Sequence, residues 1–328
     1  MMQRIAFLMI GWLIACNSLA QTRSGFRTFT YTTENGLPSN GLKGMQWDEE
    51  SGFLWIATEA GLSRFNGIDF VNFTRSNTSF ISSERMRFMV RNGKNKIRAA
   101  DMEGNVFSID KNQPKLLYGF ANQKGNWINK LVGAAISDEF FKAPLIPSPR
   151  RITFPFAQVI PRDERSAYMI NPSGSVVLLD LSKDTIEILG GLGNNNAGGF
   201  LLKGSIYLQK VGEKRIGRLD EQKPQYEQTD FMLPGKDPKL FWEAGMDFPL
   251  VIDGNNAWLI RSGTFGLTLE LICDEVPNLG LLKFVQYSEK RGLLFLGTTS
   301  RGFAVVRTNR VAQVRKSNFT PQDVSAYY

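Results

Sequence analysis

The sequence predicts an all-β chain: a single β-propeller of six to seven blades, seven preferred, each blade a four-stranded antiparallel sheet. Paired apolar strands with a glycine in or near the turn recur along it. Their first apolar residues are Phe53, Ile97, Ala167, Ile206, Ala257 and Leu293, giving steps of 44, 70, 39, 51 and 36 residues. Four of the five steps lie near the repeat of about 40–50 residues expected for propeller blades. The last hairpin echoes the first, Gly292–Thr298 paralleling Gly52–Thr58 and Gly302-Phe303 answering Gly61-Leu62. No long helical periodicity intervenes; Asp138–Lys142 alone suits a short helical turn.

Taken in order, Met1–Ala20 carries one basic residue, Arg4, before an apolar run from Ile5 to Cys16. That run is shorter than the roughly 20 residues needed to span a bilayer. With Ser18-Leu19-Ala20 before Gln21, residues 1–20 read as a signal peptide cleaved after Ala20. Leu13-Ile14-Ala15-Cys16 also fits a lipobox, in which Cys16 becomes a lipidated N-terminus. Either reading exports the chain.

Phe26–Tyr31 precedes the first complete blade and is expected as the outermost strand of the last one, where Phe303–Arg307 and Val311–Arg315 would meet it. Closing the ring in this way removes free sheet edges. The first blade is expected from Leu42–Trp47, Phe53–Thr58, Leu62–Phe65 and Asp69–Phe73. Gly61 is placed at its second turn, and Asn66-Gly67 is read as a type I′ turn because both residues adopt positive φ cheaply.

Asp48, Gly52–Thr58, Gly61-Leu62, Arg64–Gly67 and Phe70, preceded by Asn35-Gly36-Leu37-Pro38-Ser39-Asn40, resemble the two-component regulator propeller repeat of bacterial periplasmic sensors. The resemblance covers residues 26–73. It implies a signal-sensing propeller. Such proteins usually continue into a second propeller, a β-sandwich, a membrane helix and a histidine kinase, sometimes with a response regulator, and many respond to carbohydrates. This chain stops at Tyr328, which reads as the N-terminal part of a larger sensor or as a stand-alone relative. The expected domains are residues 1–20, signal peptide; 21–316, propeller; and 317–328, a tail approaching a further domain.

Further hairpins follow: Ile97–Ala100 with Val106–Ile109, Ala167–Ile170 with Val176–Leu179, Ile206–Leu208 with Ile216–Leu219, Ala257–Ile260 with Leu267–Leu271, and Leu293–Leu296 with Phe303–Val306. The 70-residue step hides a degenerate blade or an insertion. Pro144–Pro161, Gly190–Gly199 and Lys223–Pro238, rich in proline, glycine or polar residues, read as loops.

Composition narrows the chemistry. The chain has 39 Lys+Arg against 31 Asp+Glu, a net charge of +8 that falls to +7 if Arg4 leaves with the leader. The surplus is spread without the dense basic runs of nucleic-acid or lipid binders, so no nucleic-acid partner is expected. The chain contains no histidine. Histidine-based triads and zinc sites are therefore excluded, as is a phospho-accepting histidine within this chain. If Cys16 leaves, Cys273 is the sole cysteine; its Leu-Ile-Cys setting suggests burial, and no intramolecular disulfide can form.

No catalytic group, metal ligand or cofactor site emerges, and the chain reads as a non-enzyme. For ligand contact, Trp55 and Trp258 fall within strand patterns and suit packing between blades, while Trp127 and Trp242 stay open as sugar-stacking candidates. Arg64 and Arg261, near blade turns, could clamp carboxylate or sulfate groups. The expected function is an exported, periplasmic sensor of carbohydrate-type ligands. It would act by rearrangement against a second propeller or a kinase-bearing portion, in cis or in trans, with no chemistry of its own. The membrane is reached only through a downstream segment or a lipidated Cys16. The alternatives are a structural or adhesion propeller, and a propeller hydrolase or lyase.

Overall fold

Apolar strands too short to stand alone are assembled into a ring whose hydrophobic contacts lie between neighbouring sheets. The computed structural model describes residues 26–91, 96–119, 158–163, 165–170, 175–180, 183, 185–191, 196–210, 212–220 and 225–308. The chain divides into two units. Thr28–Arg307 carries the sheets, and of the other, Met1–Arg27 with Thr308–Tyr328, only residues 26, 27 and 308 are described.

The first strand, β1 (Phe26–Tyr31), is followed by blade 1: β2 (Leu42–Asp48), β3 (Phe53–Thr58), β4 (Gly61–Phe65) and β5 (Phe70–Phe73). Blade 2 is β6 (Met86–Arg91), β7 (Ile97–Asp101), β8 (Val106–Asp110) and β9 (Gln113–Tyr118). Blade 3 is β10 (Gln158–Pro161), β11 (Ser166–Ile170), β12 (Ser175–Asp180) and β13 (Thr185–Gly191). Blade 4 is β14 (Asn196–Leu202), β15 (Ser205–Lys210), β16 (Arg215–Asp220) and β17 (Gln225–Met232). Blade 5 is β18 (Lys239–Phe241), β19 (Leu250–Asp253), β20 (Asn256–Gly263) and β21 (Gly266–Cys273). Blade 6 is β22 (Leu282–Ser288), β23 (Leu293–Thr298) and β24 (Phe303–Thr308), with β1 added outside β24.

The described residues thus form a six-bladed propeller of four-stranded antiparallel sheets, closed by β1 in the last blade. The extra blade or insertion expected within the 70-residue step falls on residues 120–157, and Trp127, Asp138–Lys142, Val311–Arg315 and Cys16 likewise lie outside the described residues. The first strand of each blade is innermost: β2 stands against β6 and β22, and β14 against β10 and β18.

Closure is fixed by aromatic rings. Tyr31 stacks on Phe303 at 5.1 Å between ring centroids and meets Phe65 edge-on at 4.5 Å. The Asn35–Asn40 linker is held alongside: Leu37 is buried, Asn72 Nδ2 donates to the Gly36 carbonyl at 2.9 Å, and Gly302 N donates to the Asn40 carbonyl at 3.0 Å. Between blades 6 and 1, Met45, Ile56, Phe65, Phe295 and Phe303 form one core; between blades 1 and 2, Trp55, Phe73, Met89 and Phe107 form another. Trp55 is fully buried, and Trp258 packs half-buried on the core of blades 3 to 5, as their strand positions predict.

Three expected loops and one expected turn are corrected. Gln158–Pro161, Gly190-Gly191, Asn196–Gly199 and Gln225–Met232 lie in strands, although all fall within expected loops. The glycines of β14 read as turn formers, yet a Cβ on Gly199 would meet Leu208 Cδ2 and the Tyr207 carbonyl, each at 2.8 Å. At Gly199 the crowded core leaves no room for a side chain, whereas Gly198 has space and a φ of +154°. Gln225–Met232 is polar because it is an outer strand with most of its residues toward solvent. Finally, Asn66-Gly67 is not a type I′ turn: only Gly67 has positive φ, at 102°, and residues 66–69 form a four-residue loop. The Asn66 side chain orders it by accepting from the amides of Ile68 and Asp69 at 2.8 and 2.7 Å.

Candidate functional site: a loop across the ring centre

Five of the six connections from inner to second strand span at most five residues, whereas residues 242–249 make an eight-residue loop between β18 and β19. This loop reaches the inner strands of the blades around it. The Trp242 carbonyl accepts from Gln158 Nε2 of blade 3 at 3.2 Å. Glu243 Oε2 accepts from Gln46 Nε2 of blade 1 at 2.5 Å and from Gln286 Nε2 of blade 6 at 3.4 Å. Gly245, at φ +88°, lies against Arg91 of blade 2, so closely that a Cβ would stand 2.0 Å from Arg91 Cδ. A Met246 N to Glu243 carbonyl bond of 3.0 Å holds the loop's turn. The segment from blade 5 therefore lies across the ring's centre and plugs it.

The two glutamines that meet Glu243 occupy equivalent positions. Lys43 and Lys283 are bulged residues of β2 and β22; Gln46 and Gln286 follow three residues later, opposite Trp55 and Phe295. Successive inner strands thus aim the same amide at one point. Burial deep in the ring pushes the Glu243 carboxyl up to about 8, against the lowering effects of the Gln46 hydrogen bond and the Lys283 charge. The residue retains some accessible surface, which tempers this desolvation.

Beside the plug, where the inner strands end, lies a cleft of about 480 Å³ lined by Trp47, Glu49, Arg91, residues 245–248 and residues 286–290. Trp47 stacks on Phe295 at 4.8 Å, carries the Arg291 guanidinium over its ring and donates through Nε1 to Glu49. Glu49 also accepts from Ser288 Oγ at 2.8 Å, stitching blades 1 and 6 together. Arg91 donates to the Trp47 carbonyl; burial lowers its pKa while Asp48, Asp247 and Glu49 counteract that effect. The cleft is a mixed surface of aromatic rings and both signs of charge.

The sequence candidates separate in space. Trp242 is buried in the plug, with its indole Nε1 lacking a hydrogen-bond partner. Arg261 stands at the cleft's rim, over the Phe248 ring at 4.2 Å, with Nη2 2.7 Å from Glu289 and Nε paired to Glu270. Arg64 is elsewhere: Nη1 donates to the Asn112 carbonyl at 2.7 Å and the guanidinium covers Phe53 at 4.5 Å. Gln46, Gln286 and Arg91 carry no recognisable pattern in the sequence, and Glu243 stands out there only as the neighbour of Trp242. The uneven length of the inner connections was the signal available. Among the described residues no group of three His, Cys, Asp or Glu is placed to hold a metal ion, and no helix is long and apolar enough to cross a membrane.

The fold is shared with solved structures of low sequence similarity. It resembles the extracellular domain of BT3049 from B. thetaiotaomicron, described as a hybrid two-component system, at TM-score 0.50 and 15% identity, over 86% of this chain and 42% of that one. It also resembles the extracellular domain of BT4673 from the same organism, at TM-score 0.54 and 13% identity, over 88% and 43%. A third likeness is to PorZ, a surface component of the type-IX secretion system of Porphyromonas gingivalis, at TM-score 0.54 and 11% identity, over 86% and 38%. The chain spans less than half the length of each of these structures. No family model and no curated protein matches. The fold and site together define a β-propeller with a plugged centre and an open cleft beside the plug.

Proposed function

We propose that the chain is an exported ligand-sensing β-propeller of a bacterial two-component signalling system. It detects carbohydrate-type ligands and transmits by rearrangement against a neighbouring domain. The observation that carries the reading is the cleft formed jointly by the inner ends of blades 1, 2 and 6 and the loop of blade 5. A ligand seated there touches four sheets at once, so its binding energy bears on their relative placement. Aromatic rings beside charged and amide groups suit a polyhydroxylated ligand, which needs apolar faces and hydrogen bonds together. The fold shared with the two B. thetaiotaomicron extracellular domains supports the same reading.

The test is a thermal-shift screen of the purified chain against neutral, sulfated and uronic-acid oligosaccharides. A ligand that binds only the folded state raises the melting temperature with concentration. A saturable rise with one class, lost in Tyr287→Ala at the cleft, is the expected result. No rise across the panel would overturn the carbohydrate reading and leave the ring as an interaction scaffold. Release of shorter fragments from any oligosaccharide would overturn the non-enzymatic reading.

A further inference from the structure

At the ring's centre, hydrogen-bond acceptors gather without enough donors. Gln46 is fully buried, and while its Nε2 sits 2.5 Å from Glu243 Oε2, its Oε1 makes no hydrogen bond. A buried polar atom left in that state carries a desolvation penalty, and once Glu243 is ionised none of the described residues donates to it. Gln286 approaches the same Glu243 oxygen at 3.4 Å, a distance that leaves its amide free to turn and present its own oxygen. Among the described residues no lysine or arginine forms an ion pair with Glu243. Lys283, exposed on β22, acts on it only through space. Gln286 also lines the cleft, and Glu243 and Gln46 lie behind it, joined to it through the Gln286–Glu243 and Gln46–Glu243 contacts.

We propose that Glu243, with the amides of Gln46 and Gln286, is a binding site for a primary ammonium group, the cationic end of an amine-bearing ligand seated in the cleft. One carboxylate balances one positive charge. The three N–H donors of a primary ammonium match the three acceptors available, Glu243 and the two amide oxygens. A divalent cation is a poorer fit, since calcium takes six to eight oxygens and several carboxylates. The proposal deepens the sensor reading by naming a ligand chemistry, shared by amino sugars and aliphatic amines, and its test does not depend on the oligosaccharide screen.

Binding competes with a proton. With the carboxyl at about 8, ionised Glu243 is the minor form at pH 7 and the major form at pH 9, so the affinity for an ammonium rises roughly tenfold between them. The other charges near the plug are Lys283, acting through space, and Arg91, Asp247, Glu49, Glu289 and Lys290 around the cleft.

The experiment uses methylammonium chloride with the purified chain, read by melting temperature at pH 7 and pH 9. Sodium and tetramethylammonium chloride at matched ionic strength are the controls. The expected result is a saturable rise with methylammonium alone, about tenfold tighter at pH 9, and absent in Glu243→Gln, which keeps the shape and the Gln46 contact. The pH comparison on the unmodified chain serves as an independent measure should that variant fold poorly. An equal effect of sodium or tetramethylammonium overturns the ammonium assignment, and no effect of any cation means that water alone fills the acceptors. Glucosamine set against N-acetylglucosamine, and ethylamine against ethanol, then tell a sugar amine from an aliphatic one, and a rise with either pair's amine alone supports the site.

Discussion

Placing a carboxyl at the ring's centre makes stability depend on pH in a direction opposite to most carboxylates. Glu243 has its pKa raised from 4.5 to about 8 in the folded ring, with desolvation by burial as the leading cause. Between those two values the folded chain binds more protons at this position than the unfolded chain does. The contribution is fully present below about 4.5 and is lost as pH rises through 8. At 1.36 kcal/mol per pKa unit the full span corresponds to about 5 kcal/mol, and the residual access of solvent to Glu243 makes about 3–5 kcal/mol the expected range. Urea denaturation followed by tryptophan fluorescence at pH 5, 6, 7 and 8 measures it. The unmodified chain is expected to lose roughly 1 kcal/mol per pH unit relative to Glu243→Gln, the difference flattening above pH 8. Other titrating groups, among them Asp101, raised by burial, and Asp163, lowered by its hydrogen bonds despite partial burial, act equally in both proteins and cancel. Parallel stability curves for the two proteins, or a difference that grows in the opposite direction, would refute the placement of Glu243 at a desolvated centre.

Four further outcomes follow from the packing. Gly302→Ala puts a Cβ 2.1 Å from the Tyr31 carbonyl at a φ of +72°, so it should loosen ring closure by about 2–4 kcal/mol, seen as a lowered melting temperature. Trp55→Ala, at a fully buried position between blades 1 and 2, should cost about 3–5 kcal/mol in urea denaturation. Arg261→Ala, removing surface pairs to Glu270 and Glu289, should change stability by no more than about 1 kcal/mol. Cys273, buried with its thiol pushed up to about 11, should resist a thiol reagent at pH 8 in the folded chain and react fully in urea; rapid labelling of the folded chain would contradict its placement in blade 5.

How much of this was legible in the sequence follows the physics of each part. The hairpins of blades 1 and 6 could be read because a strand buried between blades must be apolar, and Phe53–Thr58 and Leu293–Thr298 are nearly continuous apolar runs. Closure by Phe26–Tyr31 was legible from the same logic, since a strand left over at one end needs a sheet at the other. The strands at Asn196–Leu202 and Gln225–Met232 were not, because glycine and polar residues signal turns to any local rule while here they answer to crowding at the centre and solvent outside. Trp242 stands out in the sequence because it lies beside Glu243 outside the clearest hairpins, and it is buried because its loop turns inward across the ring. Arg64 looked like a free clamp and instead fastens the β8–β9 turn of the next blade, a contact 48 residues away in sequence.

The candidate site arises where the repeat breaks. Blades 1 and 6 carry a glutamine at the same register, three residues beyond a basic bulge, and in an unbroken ring these amides would face an open channel. Blade 5 differs from both, with a three-residue inner strand, Lys239–Phe241, and an eight-residue loop after it. The residues the shortened strand gives up are those that cross the ring and bring Glu243 to the waiting amides. Shortening this inner strand thus adds a carboxyl to the point where the two matched amides meet. A loop fastened to blades 1, 2, 3 and 6 cannot shift without disturbing all of them, so occupancy at Glu243 and the arrangement of the blades are linked through one element.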